Sequence, residues 1–115
     1  TGQEANEIEA SFVQIHDMQN VDKRYLRMII DGVPGNADAL QAMIEPIIER
    51  PFKALDPVER AILRLGAYEL RFLADVPTKV VLNEMIELAK VFGSDKSYKF
   101  VNSVMDKLAK SERTA

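Results

Sequence analysis

The chain of 115 residues has no cysteine, no tryptophan and a single histidine, His16. Without cysteine, the sequence excludes a disulfide framework, a thiolate zinc site and a thiol nucleophile. No apolar run approaches the roughly 18 residues that a membrane span requires, and no signal-peptide pattern opens the sequence. We therefore expect a cytoplasmic protein that has no membrane partner.

The sequence also lacks a catalytic grouping of residues. His16 has no serine or carboxylate grouping around it, so we interpret it as a surface or capping residue. The acidic residues do not have the spacing of a metal site, and VFGSDKS does not have that of a phosphate-binding loop. Glu69 points towards the apolar side of its predicted helix without a second acid, and we expect a salt bridge to Arg64 or Arg71. The sequence predicts no enzyme, no metal and no cofactor.

Charge is distributed unevenly along the chain, whose net charge is -3. Residues 1–57 contain 5 Lys or Arg and 10 Asp or Glu, whereas residues 58–115 contain 10 and 8. The first half is therefore acidic and the second half slightly basic. A site for a polyanion is expected in the second half.

Almost the whole sequence has the apolar spacing of amphipathic helices, and no strand pattern is present, so the predicted fold class is all-α. A first helix ends near His16, and Asp22 caps the next. At Pro34 two alternatives are open: one helix ends and another starts near Asn36, or one long helix continues through a proline kink. We favour the kinked helix. The connector ERPFKALDP separates an N-terminal helical subdomain, residues 1–52, from a C-terminal three-helix subdomain, residues 53–115.

The clearest helix start is the sequence DPVE. Asp56 is a good N-cap, Pro57 fits the first helical position, and Glu59 is placed to complete a capping box. We expect this helix to reach about Leu73 and to be central, since apolar residues cover most of its circumference.

Two further helices follow the turn ADVP. The first begins near Thr78 and ends at Gly93, a residue typical of helix ends. Ser94 or Asp95 caps the second, which is expected to run to about Lys110, and the final SERTA is interpreted as a frayed end.

The last helix contains the arrangement that indicates a ligand. Phe100 lies off the apolar stripe of this helix, beside lysines and small polar side chains. Aromatic rings stack on unpaired bases, while lysines neutralise adjacent phosphates. The alternative is that Phe100 widens the core and that the lysines form a solvated face, and the residues alone favour this alternative. The residues of the predicted surface are Lys96, Lys99, Phe100, Asn102, Ser103 and Lys107, with Lys79 as an extension on the neighbouring helix.

The stretches DPVERAILRLGAYEL and DVPTKVVLNEMIELAKVFGSDKSYKFVNSVMDKLAK closely resemble the C-terminal part of the NusB family of transcription antitermination factors. The resemblance is dense over residues 56–110 and looser for RYLRMIIDGV. It implies a fold of two perpendicular three-helix bundles. It also implies a factor that binds the boxA segment of nascent ribosomal RNA as a heterodimer with NusE, a small-subunit ribosomal protein, within an RNA polymerase antitermination complex.

The resemblance also assigns roles to individual residues. It makes base stacking the favoured role of Phe100, and it places Glu59 where the family faces NusE, in addition to its capping role. The residues that it places at or near the RNA are Lys96, Lys99, Phe100 and Asn102, with Lys79 as a weaker candidate.

One departure concerns the beginning of the chain. Members of the family begin with an arginine-rich helix, and this sequence starts where the loop after that helix is expected. We therefore expect a fragment that lacks the helix, with an open apolar groove in its first bundle and weaker RNA binding. The alternative is that a partner chain or self-association fills the groove.

The sequence leaves two alternatives to the antitermination factor. The first is the RNA-recognition domain of a ribosomal RNA cytosine methyltransferase, which would need a cofactor-binding fold and cysteine nucleophiles downstream. The second is a purely structural helical adaptor. We favour the RNA-binding antitermination factor.

Overall fold

The computed structural model describes residues 32–113. Its regular structure in this range is entirely helical, which confirms the predicted all-α class. The predicted helix ending near His16, the cap Asp22, the apolar groove and most of the subdomain 1–52 lie outside the described residues. After a helical stretch at residues 32–35, the elements are α1 (Ala37–Ile44), a 3-10 turn (Phe52–Ala54), α2 (Pro57–Phe72), α3 (Thr78–Phe92) and α4 (Ser97–Arg113).

The helical stretch around Pro34 is interrupted at Asn36, where φ is -120° and ψ is 21°. The side-chain amide of Asn36 donates a 2.8 Å hydrogen bond to the carbonyl of Gly32, and its backbone N–H donates to Val33 at 3.2 Å. Such local side-chain bonds compete with the regular helical pattern. The chain therefore has a helix that ends and a second that begins near Asn36, and not the continuous kinked helix that we favoured.

The predicted start of α2 is present. The Asp56 carboxylate accepts hydrogen bonds from the N–H groups of Val58 and Glu59, at 2.8 and 3.4 Å. These bonds satisfy donors that an uncapped helix leaves open. Pro57 occupies the first helical position, as expected. The Glu59 carboxylate bonds to Ser97 on α4, so the second half of the predicted capping box is replaced by a tertiary contact.

Helix α2 packs against α1, α3 and α4, which confirms its central position. A close approach is made at Gly66, where an added Cβ would lie 2.5 Å from the sulfur of Met105 and 3.0 Å from Cγ of Met85. The absence of a side chain thus allows α3 and α4 to lie directly against α2. The predicted apolar faces are buried as well; they include Val81, Met85 and Leu88 of α3, and Val101, Met105 and Leu108 of α4.

Gly93 follows α3, as predicted, but for a different physical reason. Its φ is -89° and its ψ is 175°, an extended conformation that any residue adopts. An added Cβ would lie 2.5 Å from Cβ of Ser97. Glycine is therefore needed for the close approach of α3 to the start of α4, and not for a left-handed turn.

The three arginines along α2 each hold another element. Arg60 donates to the carbonyls of Lys53 and Leu55 in the connector, at 3.1 and 2.6 Å. The guanidinium carbon of Arg64 lies 4.9 Å from the centre of the Phe52 ring, within the range of a cation–π contact. Arg71 forms a two-bond ion pair with Glu112 of α4, at 3.2 and 2.6 Å. Together they attach the connector and α4 to α2.

Glu69 is fully buried, and its predicted pairing with Arg71 is wrong because Arg71 binds Glu112. A second acid does accompany it: Glu84 of α3 is buried and hydrogen-bonded to Glu69. Burial, the adjacent charge of Glu69 and this hydrogen bond raise the pKa of Glu84 to about 8. The spacing from Val81 to Glu84 to Leu88 places Glu84 on the apolar face, a signal that could have identified the pair.

The end of α4 is anchored, so the prediction of a frayed SERTA end is wrong for its first three residues. Glu112 pairs with Arg71, and Arg113 bonds to carbonyl groups at the end of α2. Residues 111–113 belong to α4, which therefore extends three residues beyond the predicted end at Lys110.

Within residues 32–113, no helix is long and apolar enough to cross a membrane. No group of three His, Asp or Glu side chains in the same range is placed to hold a metal ion.

Candidate nucleic-acid interface

The start of α4 is held by a serine pair. The backbone N–H of Ser94 donates to the hydroxyl of Ser97 at 3.1 Å, and the N–H of Ser97 donates to the Ser94 carbonyl at 3.0 Å. The hydroxyl oxygens of Ser94 and Ser97 also lie within hydrogen-bond distance, 3.1 Å apart. This closed turn sets the position of Lys96, which immediately precedes the helix.

Ser97 also links α4 to α2. Its hydroxyl donates a 2.9 Å hydrogen bond to the carboxylate of Glu59, and the two residues are 1% and 8% exposed. A buried bond to a charged acceptor is among the stronger hydrogen bonds in proteins. Because Glu59 lies in the first turn of α2, the bond joins the starts of the two helices. Ser97 lies four residues before Val101, and a polar residue at this core spacing is the signal that could have identified it.

Phe100 lies in the first turn of α4, with one part of its ring packed against the core and the rest accessible. The predicted polar residues around it are all exposed. A half-buried ring surrounded by cations and hydrogen-bonding side chains provides an apolar contact and a favourable site for anions. The exposed residues of this surface, called the α4 surface below, are Lys96, Lys99, Asn102, Ser103 and Lys107.

Arg50 completes the surroundings of Phe100, and the sequence pattern did not identify it. Its guanidinium carbon lies 5.0 Å from the centre of the Phe100 ring. Arg50 belongs to the connector and lies 50 positions before Phe100, so helical periodicity contains no signal for this contact. Only the packing of the connector against α4 brings the two together.

Lys79 lies apart from the α4 surface. It is exposed in the first turn of α3, next to Thr78, whose hydroxyl accepts a 3.1 Å hydrogen bond from Arg113 at the far end of α4. Arg113 follows Phe100 by 13 residues, which corresponds to about 20 Å along the helix. The structure thus brings Lys96, Lys99 and Phe100 together and places Lys79 at the opposite end of α4.

A cavity of about 540 Å³, open to solvent, adjoins the connector. Acidic and basic side chains both line it, including Glu45, Glu49, Arg50 and Lys53. This mixed lining does not favour an anion as clearly as the lysines of the α4 surface do. The candidate interface is therefore the α4 surface together with Arg50.

Comparison with known proteins gives consistent matches over nearly the whole chain. The family model described as "NusB family" matches residues 1–110. The transcription antitermination protein NusB of Haemophilus influenzae strain Rd is 50% identical over 109 residues, which are 95% of this chain and 76% of that protein. NusB of Marinobacter nauticus is 50% identical over 110 residues, which are 96% of this chain and 70% of that protein.

A solved structure agrees with the sequence matches. NusB of T. maritima superposes with a TM-score of 0.78 at 28% sequence identity, covering 97% of this chain and 92% of the other. The relatives are named as transcription antitermination proteins and not as enzymes, in agreement with the predicted absence of enzymatic activity. The extent of these matches shows that the chain belongs to the NusB family.

Proposed function

We propose that the chain binds single-stranded boxA-type RNA together with NusE, within an RNA polymerase antitermination complex that supports processive ribosomal RNA transcription. The general function, transcription antitermination by a protein that is not an enzyme, follows from membership of the family. The observation that carries the finer proposal is the half-buried Phe100 ring beside exposed lysines at the start of α4. We place this activity in the cytoplasm.

Phe100 and four residues of the α4 surface have proposed roles. The Phe100 ring stacks on an unpaired base, since every base presents a π-face. Lys96 and Lys99 neutralise adjacent phosphates, while Asn102 and Ser103 meet base edges or the 2′-hydroxyl. Lys79 serves as a separate phosphate contact for an RNA strand that follows α4 towards its C-terminal end.

Replacing Phe100 with leucine is expected to weaken binding of boxA-like RNA by about 1–3 kcal/mol, the contribution of one base stacked on an aromatic ring. Leucine retains an apolar contact with the core, so the thermal unfolding temperature should change little. The measurement is fluorescence anisotropy of labelled single-stranded RNA, with and without NusE. Phe72→Leu, at an exposed ring outside the α4 surface, is the matched control. Unchanged RNA affinity in folded Phe100→Leu would contradict base stacking.

For NusE, we propose that Glu59 belongs to the contact face. With 8% of its surface accessible, Glu59 contributes chiefly by holding the start of α4 through Ser97. The self-association proposed for the N-terminal groove, like most of the proposed subdomain 1–52, concerns residues outside the described range. The proposed subdomain 53–115 contains α2, α3 and α4.

Glu59→Ala is expected to weaken NusE binding about tenfold, equivalent to about 1.4 kcal/mol. Ser97→Ala breaks the same hydrogen bond without changing Glu59, and we expect it to reproduce most of the loss. Isothermal titration calorimetry with NusE measures both, and Glu87→Ala, at an exposed acid on α3, is the control. If Glu59→Ala binds NusE with wild-type affinity, Glu59 does not belong to the contact face.

A further inference from the structure

We propose that Arg50 is a further RNA-binding residue, and that its guanidinium and the Phe100 ring form one composite stacking surface for an unpaired base. The inference rests on the proposed RNA binding at the α4 surface. It adds a residue from the connector, outside the helix that carries the other proposed contacts.

The side chains of Arg50 and Phe100 lie close together. The Arg50 guanidinium carbon lies 5.0 Å from the centre of the Phe100 ring, within the range of a favourable cation–π contact. Part of the ring packs against the core, whereas Arg50 is exposed. Arg50 therefore lies beside the accessible part of Phe100, so that a base that stacks on the ring also reaches the guanidinium.

The connector that carries Arg50 is anchored to the rest of the fold. Phe52 and Leu55, two and five residues after Arg50, are 3% and 2% exposed. Arg60 of α2 donates to the carbonyls of Lys53 and Leu55, which attaches this segment to the helix. The backbone that follows Arg50 is thus attached to α2, and less backbone freedom is lost when the arginine binds a ligand.

The guanidinium group of Arg50 can both stack on a base and carry charge. It is planar, always charged and weakly hydrated, and unpaired bases stack on guanidinium planes as well as on aromatic rings. A base that contacts both groups leaves the contact between Arg50 and Phe100 intact, whereas displacing the arginine would sacrifice it. The same charge neutralises a neighbouring phosphate. Arg50 therefore contributes both stacking and charge, whereas Lys96 and Lys99 contribute charge alone.

Glu45 and Glu49 line the cavity beside Arg50 and oppose an RNA strand at that side. The basic residues Lys96 and Lys99 lie on the other element that surrounds Phe100. An RNA strand that contacts Arg50 is accordingly expected to follow α4 and to avoid the cavity.

The test compares RNA affinity and its salt dependence in single variants. Arg50→Ala should weaken binding of boxA-like RNA about tenfold and reduce the slope of log K against log salt by about 0.7, the value for one phosphate contact to a single strand. Arg50→Lys keeps the charge and loses the planar group. It should therefore retain the salt slope of the wild type but show most of the affinity loss of Arg50→Ala. Lys53→Ala is the matched control, since this exposed cation lies in the same connector and lines the same cavity.

A double variant tests whether Arg50 and Phe100 act as one surface. If they do, the fold loss of RNA affinity in Arg50→Ala/Phe100→Leu is smaller than the product of the fold losses in the two single variants, because either change disrupts the same stack. Independent losses that multiply would overturn the composite surface. Equal losses in Arg50→Ala and Lys53→Ala, or unchanged or tighter binding in Arg50→Ala, would overturn the role of Arg50.

Failure of this inference can be distinguished from failure of the proposed function. If Phe100→Leu weakens RNA binding and Arg50→Ala does not, only the role of Arg50 is lost. If the wild-type chain does not bind boxA-like RNA with or without NusE, the proposed function itself fails. Because Arg50 is exposed, its substitution should leave the thermal unfolding temperature unchanged, and that measurement accompanies each titration.

Discussion

Replacing Arg113 with alanine is expected to lower the free energy of unfolding by about 3 kcal/mol. The last carbonyls of a helix have no partner within the helix, and a cation there is favoured by the helix dipole. The Arg113 guanidinium supplies both hydrogen bonds and a positive charge at the end of α2, and it also holds the turn to α3. Its acceptors are the carbonyls of Glu69, Leu70, Leu73 and Val76 and the hydroxyl of Thr78.

The size of this effect follows from the number of bonds that one side chain makes. Hydrogen bonds to charged groups contribute about 1.5–3 kcal/mol each, and bonds that share one donor group do not add independently. Arg113→Lys keeps the charge but has a single nitrogen, so we expect an intermediate loss. Arg113 lies at the end of α4, which makes it the residue that connects all three C-terminal helices.

Urea unfolding followed by circular dichroism measures this loss. Lys110→Ala is the matched control, since Lys110 is a cation in the last turn of α4 whose exposed ion pair with Asp106 spans 3.2 Å. Such surface pairs contribute at most about 1 kcal/mol. If the urea midpoint and the urea slope of unfolding are the same for Arg113→Ala and Lys110→Ala, the carbonyl contacts do not stabilise the fold.

The second large effect concerns pH and the buried acids Glu69 and Glu84. Burial, followed by the charge of Glu69 and the hydrogen bond between the carboxyls, raises the pKa of Glu84 from 4.5 to about 8. Between these two values, the folded chain holds a proton that the unfolded chain releases. Stability from this group is therefore fully present below pH 4.5 and is lost as the pH rises towards 8.

We expect Glu84→Gln to be more stable than the wild type at pH 8 by a few kcal/mol, with a difference that shrinks as the pH falls to 5. Glutamine is neutral at every pH, and its amide can donate to the Glu69 carboxylate. The wild-type chain should lose about 1 kcal/mol per pH unit more than the variant over this range.

Urea unfolding at several pH values between 5 and 8 tests this expectation. Glu87→Gln removes an exposed acid from the same helix and serves as the control, since the net charge changes equally. Parallel stability curves for the wild type and Glu84→Gln would show that Glu84 does not retain a proton in the folded chain.

Much of the helical architecture was predictable from short segments of sequence. The Asp56–Pro57 start of α2 and the apolar spacing of α3 indicated elements whose bounds the structure confirms to within a residue or two. Helical hydrogen bonds join residues four positions apart, so the information that starts and ends a helix is local. The family motifs in α2, α3 and α4 were recognisable for the same reason, since each lies within one continuous stretch.

The candidate site was predictable only in part. Helical geometry placed Phe100 beside Lys96 and Lys99, because all three lie within one turn and a half of the same segment. Lys79 has the same charge and exposure, but only the antiparallel packing of α3 on α4 separates it from Phe100 by about 20 Å along the helix. Charge and amphipathicity alone did not distinguish these positions.

The sequence by itself determined the all-α class, the starts and ends of α2 and α3, the basic second half and the family. Only the tertiary structure decided which distant side chains meet, namely Arg50 with Phe100, Ser97 with Glu59, Glu69 with Glu84, and Arg113 with the end of α2. Helix periodicity shows which face a residue occupies but not which residue faces it. That partner is set by how the connector and the helices pack, through close approaches such as those at Gly66 and Gly93.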